Sequence, residues 1–199
     1  MGQKGEEKKN YILRKAEQVF ARKGYTSVTM KDIVDECGIS RGGLYKYFGS
    51  TREIFEELLS RQKGDDVSFF TEGMGNKASA LDILHEFFEK QKTEMINMQG
   101  SIRIAVYEYF LSQKNDHVKD LLEGYFNGAV ALVSQTLAYG IDRGEIVPLD
   151  TEQTARHIVL VLEGLNTLAM GTPVSPKLIE EQMGLIMNML VKAGTGGMP

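Results

Sequence analysis

Apolar residues recur at intervals of three and four along almost the whole chain, which is the period of an amphipathic α-helix. Glycine, proline and small polar residues interrupt this period and divide the chain into about nine segments. We predict helices, numbered 1 to 9 in chain order, at about residues 6–23, two short ones within 29–48, then from 51 to beyond 63, and at 79–97, 101–113, 116–143, 151–170 and 176–192. Residues 1–5 and 194–199 are expected to be disordered, and the predicted fold class is all-α.

Residues 29–48 carry the most distinctive pattern, two short helices joined by a tight turn. Thr29 is a natural cap for the first helix, and the apolar positions of 30–37 share one face. Gly38 stands where a helix commonly ends in a left-handed residue, and Ser40 caps the second helix. The pattern predicts a helix-turn-helix unit, whose second helix enters the DNA major groove.

The second helix of this pair is unusual for a helix that only has to be stable. Gly42 and Gly43 lie in its first turn, and each costs about 1 kcal/mol relative to alanine inside a helix. A surface without side chains lets a flat or charged partner approach closely, and Arg41, Lys46 and two tyrosines surround it. The structural alternative is a pair of core helices with solvated charges.

Residues 10–59 resemble the DNA-binding domain of the tetracycline-repressor (TetR/AcrR) family in order, spacing and N-terminal position. The matching residues are Ala16, Phe20, Lys23-Gly24-Tyr25, 26–29, Ile33, Val34, Cys37-Gly38-Ile39-Ser40, Gly43-Leu44-Tyr45, Tyr47-Phe48 and Ile54-Phe55. The resemblance implies an N-terminal three-helix DNA-binding domain at residues 1–50. It also implies a larger helical domain at 51–199 that binds an effector and dimerises, with helix 4 as the connection.

By this resemblance, Arg41, Gly42 and Gly43 face base edges, while Thr29, Ser40, Tyr45, Lys46 and Tyr47 contact phosphates. The chemistry agrees, because hydroxyls and cations at the rim position a protein and groups at the helix N-terminus reach bases. Arg41 can form a bidentate contact with guanine, worth ~1–3 kcal/mol of discrimination. The family usually has a lysine where Thr51 stands, so Arg52 is included as the candidate replacement.

The net charge of −4 taken alone argues against a nucleic-acid partner. However, residues 1–63 hold 13 Lys and Arg against 9 Asp and Glu, whereas the remainder holds 10 against 18. A basic N-terminal module joined to an acidic body is typical of a DNA-binding protein whose other part has a different task.

Composition narrows the class of protein further. One cysteine in 199 residues excludes an internal disulfide and a multi-cysteine zinc site. The apolar run at residues 158–162 is far too short to span a bilayer, and no signal peptide is evident. We expect a cytoplasmic protein that does not associate with a membrane.

Six aromatic and methionine side chains are candidates for lining an effector pocket among helices 5 to 8: Met95, Met98, Tyr107, Phe110, Tyr125 and Phe126. The family resemblance implies an effector in this region, and ligand pockets are mostly apolar. The alternative is that these residues fill the core, where methionine is a flexible gap-filler.

Helices 8 and 9 carry more apolar surface than one packing partner covers. The candidate interface residues are Val161, Leu165, Leu168, Ile186, Met189 and Leu190. The resemblance, with residues 163–165 in the corresponding region, implies a homodimer, whereas the alternative is a buried central helix. A two-fold dimer presents two recognition helices to a palindrome with half-sites ~34–36 Å or more apart.

Catalytic and metal-binding patterns are weak. His85, His117 and His157 are scattered, and Asp82 with His85 matches half of a di-iron motif that needs a second copy. There is no nucleophile elbow, phosphate-binding loop or metalloprotease motif. We predict no metal, no cofactor and no enzymatic activity.

The sequence thus predicts a DNA-binding transcriptional regulator, a repressor released from a palindromic operator by a small-molecule effector. The mechanism implied by the family is that the effector moves helix 4 and changes the spacing of the two recognition helices. The alternative is a helical sensor or interaction protein without specific DNA binding.

Overall fold

The computed structural model describes residues 2–191, which form nine α-helices, one 3₁₀-helix and no β-strand. The α-helices are Gln3–Lys23 (α1), Met30–Cys37 (α2), Arg41–Tyr45 (α3), Thr51–Gly75 (α4), Ala80–Ile96 (α5), Arg103–Ser112 (α6), Asp116–Asp142 (α7), Thr151–Gly171 (α8) and Pro176–Leu190 (α9). The 3₁₀-helix, Met98–Gly100, lies between α5 and α6. The all-α prediction is confirmed, and the predicted tail at 194–199 lies outside the described residues.

Two predicted boundaries near the N-terminus are wrong. Residues 3–5 are helical rather than disordered, because the amides of Gly5 and Glu6 bond to the Gly2 carbonyl and start α1 three residues early. The helix α3 ends at Tyr45, whereas the pattern predicted a helix to residue 48. The chain turns there, although the Phe48 amide still bonds to the Leu44 carbonyl at 3.1 Å.

The sequence of residues 73–78, with two glycines, predicts a loop between the fourth and fifth helices, and the structure places the turn later in the chain. Residues 73–75 form the last turn of α4, and the turn itself occupies residues 76–79. Lys77 adopts a left-handed conformation with φ of 58°. Glycine is tolerated inside a helix when the backbone hydrogen bonds continue past it. They do so here, since the Asn76 amide bonds to the Glu72 carbonyl at 2.8 Å.

Packing divides the described chain into two compact units. The N-terminal unit contains residues 2–65 and 98–121, and the C-terminal unit contains residues 66–97 and 122–191. The helix α6 and the beginning of α7 therefore pack with the helix-turn-helix region. The predicted domain boundary at residue 50 follows the helix-turn-helix motif rather than this packing, and it stays a prediction.

Each unit has its own apolar interior. In the N-terminal unit most of the buried residues come from α1, α2, α3, α4 and α6, and they include Ile12, Leu13, Phe20, Ile33, Leu44, Ile54, Phe55, Ala105 and Tyr109. In the C-terminal unit, α5 contacts both α8 and α9. The Ala80 amide donates to the Glu145 carboxylate at 2.6 Å, which fixes the start of α5.

No described helix has the length and apolar character needed to cross a membrane.

We predict that Gly140→Ala lowers the free energy of unfolding by about 1–3 kcal/mol, because overpacking forces neighbouring groups apart. A Cβ at this position in α7 would lie 2.6 Å from Ile146 Cδ1 and 2.7 Å from Ala80 Cβ. The control is Gly124→Ala on the same helix, where a Cβ meets nothing within 4 Å. This control should raise the free energy of unfolding by up to about 1 kcal/mol, because alanine is favoured over glycine inside a helix. Urea unfolding followed by circular dichroism distinguishes them, and equal effects would contradict the close packing.

Candidate nucleic-acid interface

The start of α2 is fixed by a reciprocal cap. The Asp32 amide donates to Thr29 Oγ1 at 3.3 Å, and the Thr29 amide donates to Asp32 Oδ2 at 2.8 Å. Gly38 ends the helix in the left-handed conformation, with φ 60° and ψ 36°. The predicted cap and turn are confirmed, and together they set the path from α2 into α3.

The helix α3 is short, and its own N-cap and one buried side chain hold it in place. Ser40 Oγ accepts a hydrogen bond from the Gly43 amide at 3.1 Å, and Leu44 is fully buried. A Cβ on Gly43 would lie 3.2 Å from Ser40 Oγ, so glycine here keeps the cap uncrowded. A Cβ on Gly42 would meet nothing within 4 Å. Packing within the described chain therefore does not require glycine at position 42.

The outer surface of α3 is cationic and aromatic. The Arg41 guanidinium lies 5.4 Å from the centroid of the Tyr45 ring, within range of a cation–π contact. Lys46 is exposed, and neither it nor Arg41 forms an ion pair with another described residue. Both positive charges are thus available to an anionic partner.

The remaining predicted DNA contacts differ in exposure. Thr29, Ser40 and Tyr45 are exposed, whereas Tyr47 is half-buried and packs against the core of the N-terminal unit. Arg52 lies in the first turn of α4 with its side chain exposed, and its Nε is 3.9 Å from Glu56 Oε1. The structure contains no DNA, so contact with DNA remains a prediction for all nine residues.

Basic side chains of α1 neutralise two of the three acidic residues of α2, and the third pairs with a lysine of α2 itself. Lys23 Nζ lies 2.6 Å from Asp32 Oδ1, and Glu36 pairs with both Lys15 and Arg22. Hydrogen bonds from Lys23 and from Thr29 hold the pKa of Asp32 well below its ordinary value. The carboxylates of α2 are therefore compensated locally, which leaves the charges of α3 unopposed.

The helix α6 packs against the helix-turn-helix region, a contact that the sequence pattern does not predict. Tyr109 is fully buried, and its hydroxyl donates to Glu56 Oε1 of α4 at 2.6 Å. The same carboxylate oxygen lies 3.2 Å from His117 Nε2 at the start of α7. Burial, followed by the bond to Glu56, raises the pKa of the Tyr109 hydroxyl, so this group stays a neutral donor.

A second contact joins α6 to the loop that precedes α2. Glu108 Oε2 accepts hydrogen bonds from the Thr26 amide at 3.0 Å and from Thr26 Oγ1 at 3.1 Å. Gly24 has φ of 74°, and a Cβ there would collide with the Glu108 carboxylate. The partners are 82 residues apart, so no local pattern could have revealed them.

The six effector-pocket candidates are divided between the two units. Met95, Tyr125 and Phe126 belong to the C-terminal unit, and Met98, Tyr107 and Phe110 belong to the N-terminal unit. The two methionines are buried, and the four aromatic residues are half-buried. Their role in ligand binding stays a prediction.

The six candidates for the dimer interface differ in exposure. Leu168 and Met189 are exposed, Val161 is half-buried, and the other three are buried within the chain itself. The structure adds two exposed leucines that the predicted set did not include, Leu160 on α8 and Leu185 on α9.

Among the described residues, no group of three or more histidine, cysteine or carboxylate side chains could hold a metal ion.

Two family models match the chain. Residues 12–58 match the model of bacterial regulatory proteins of the tetR family, and residues 83–172 match the model of tetracyclin repressor-like C-terminal domains. The HTH-type transcriptional regulator YfiR of Bacillus subtilis (strain 168) is 29% identical over 150 residues, covering 75% of this chain and 73% of that protein.

Solved structures share the fold. The transcriptional regulator FadR from Bacillus subtilis, in complex with stearoyl-CoA, has 21% identity and a TM-score of 0.67, covering 92% of this chain and 99% of that chain. A transcriptional regulator from Saccharomonospora viridis in complex with choline has 21% identity and a TM-score of 0.76, with 94% and 100% coverage. At these identities the likeness concerns the fold.

We predict that Asp32→Asn lowers the melting temperature at pH 7, and that the difference from wild type begins to narrow as the pH falls below 3.8, the ordinary pKa of this group. A carboxyl group whose pKa is lower in the folded than in the unfolded state stabilises the fold at pH values above the unfolded pKa. This stabilisation is lost in acid, because the group becomes protonated. Thermal unfolding between pH 3 and pH 7 measures the difference. Glu17→Gln on the exposed side of α1 controls for loss of a charge, and a difference that is constant with pH would contradict the ion pair.

Proposed function

Because the chain belongs to the tetR family of helix-turn-helix transcriptional regulators, we propose that it is a dimeric repressor of a palindromic operator. A small-molecule effector bound by the C-terminal unit releases it from DNA. The proposal includes a cytoplasmic location and no enzymatic activity.

The observation that carries the proposal is the surface of α3. Its cap and buried Leu44 orient a short helix whose N-terminal turn exposes Arg41 and Gly42, with Lys46 beside them. Gly42 has open space around it, so its lack of a side chain favours close approach of a DNA base edge. An exposed helix N-terminus and two unpaired cations also favour phosphate.

Two fold neighbours support a ligand-responsive C-terminal unit. The regulator from Bacillus subtilis is described in complex with stearoyl-CoA, and the regulator from Saccharomonospora viridis in complex with choline. These two ligands differ in chemistry, so the fold alone does not identify the effector of this chain.

The proposed dimer interface is the outer face of α8 and α9. Leu160, Gly164 and Leu168 follow one another at intervals of four along α8, and Leu185 and Met189 do the same on α9. All four large side chains are 44–59% exposed. A two-fold axis through such a face would pair it with the same face of a second copy.

The route of the effector response follows from the path of the chain. The helix α4 begins in the N-terminal unit and ends in the C-terminal unit, as the family mechanism requires. The helix α6 lies in the N-terminal unit, yet the chain enters it from the C-terminal unit and returns there through α7. A shift in the C-terminal unit would therefore move α6. The helix α6 contacts α4 at Glu56, and its own Glu108 bonds to the loop before α2.

We expect selection from a random duplex library at near-physiological salt to recover an inverted repeat. Arg41→Ala should relax the preference at one position of each half-site, because it removes a base contact worth ~1–3 kcal/mol. Lys46→Ala is the matched control, and it should weaken binding to all sequences and reduce the salt dependence. Recovery of no motif would favour a helical sensor without specific DNA binding, and equal effects of both variants would remove the base-contacting role of Arg41.

We expect Leu168→Glu to raise the dimer dissociation constant at least ~10-fold, because a carboxylate would be buried without a partner. Sedimentation equilibrium measures this change. Leu111→Glu, on α6, is the control because Leu111 is 75% exposed and lies outside the proposed interface. A dimer that persists unchanged in Leu168→Glu would place the interface elsewhere.

A further inference from the structure

Asn166 on α8 is a buried carboxamide without a protein partner. The residue is 1% exposed, and neither its Oδ1 nor its Nδ2 forms a hydrogen bond with another described residue. Folded proteins rarely bury such groups unpaired, because each loses its bonds to water without replacement. Asn166 therefore has one acceptor and one donor group to offer to a bound molecule.

The position of Asn166 on the helix excludes the proposed dimer partner as the source of these hydrogen bonds. At about 100° per residue, Asn166 lies about 240° around α8 from the exposed Leu160. It falls instead in the buried stripe that includes Leu162 and Ala169. The side chain thus belongs to the interior of the C-terminal unit, on the side away from the outer face.

The interior around this stripe is neutral. Among the described residues of the C-terminal unit, the buried polar side chains are Gln91 on α5, Thr136 on α7 and Asn166. The Thr136 hydroxyl donates to the Leu132 carbonyl of its own helix at 3.0 Å. Every described ionisable side chain of this unit is half-buried or exposed. A charged group placed beside Asn166 would therefore lack a buried counter-charge.

We propose that Asn166 is the polar anchor of the effector site, and that it binds an uncharged group carrying both a donor and an acceptor on an apolar body. A carbonyl oxygen of the ligand would accept from Asn166 Nδ2, and a ligand N–H or O–H would donate to Oδ1. A primary amide meets both requirements. This inference rests on the proposed function only in taking the C-terminal unit as the ligand-binding part.

The first test uses Asn166→Leu in the full chain without added ligand. Replacing an unpaired buried carboxamide by an apolar side chain of similar size should leave the melting temperature unchanged or raise it. Thr136→Val is the matched control, since it removes a buried hydroxyl that does have a partner, and it should lower the melting temperature. A large loss of stability in Asn166→Leu would mean that Asn166 is bonded structurally, and it would overturn the proposal.

The second test compares three probes of equal chain length: octanamide, octanoate and octyltrimethylammonium. Calorimetry should detect binding of octanamide to the wild type and to Thr136→Val, with at least ~10-fold weaker binding to Asn166→Leu. Octanoate and octyltrimethylammonium should bind at least ~10-fold more weakly than octanamide, since a charge would be desolvated. No binding of octanamide, equal binding of a charged probe, or equal binding to Asn166→Leu would overturn the assignment.

The proposed repressor function and the proposed role of Asn166 can be contradicted independently of each other. Asn166→Leu should recover the same DNA motif as the wild type, because Asn166 lies outside the N-terminal unit. If the wild type selects no DNA motif, the proposed repressor function is contradicted, whereas binding of octanamide is still expected. Normal DNA selectivity together with failed probe binding would remove only the role of Asn166.

Discussion

An aromatic cluster holds the N-terminal unit together, and the presentation of α3 depends on it. Phe20 of α1, Tyr25 of the following loop, Phe55 of α4 and Tyr109 of α6 lie with ring centroids 4.8–5.2 Å apart along the contacts that join them. Edge-to-face and tilted pairs of this kind add to the burial of large apolar surfaces. Three parts of the chain that are distant in sequence, α1 with its following loop, α4 and α6, are thereby fixed against one another. The helices α2 and α3 pack against the same core.

This arrangement explains how a helix of only five residues, the proposed recognition element, keeps a defined conformation. An isolated helix of such length is unstable in water, because the cost of nucleation is not recovered. In this chain the cap of Ser40, the left-handed Gly38 and the burial of Leu44 in the core hold the helix in its conformation. The residues facing outward are exposed, so packing within the chain does not determine their identities.

Most local features were predictable from the sequence, because they depend on residues three or four positions apart. The capping box at Thr29, the left-handed Gly38 and the apolar stripe of α1 are of this kind. The bond between Glu108 and Thr26 was not predictable, since it depends on how α6 returns to the first helices. The end of α3 at Tyr45 was missed because periodicity continues through Phe48 while the backbone turns.

The same limit applies to α8, whose sequence shows two apolar faces without saying which is interior. The structure distinguishes them: Leu160 and Leu168 lie outside, and Leu162 and Asn166 lie inside. Gly164, between the two exposed leucines, has nothing within 4 Å of a would-be Cβ, so a facing helix can approach its backbone closely. A ligand that bonds to Asn166 would act on the inner side of the helix whose outer side forms the proposed dimer contact. Since helices in packed interiors shift as rigid bodies, occupancy of the inner face would alter the geometry of the outer one.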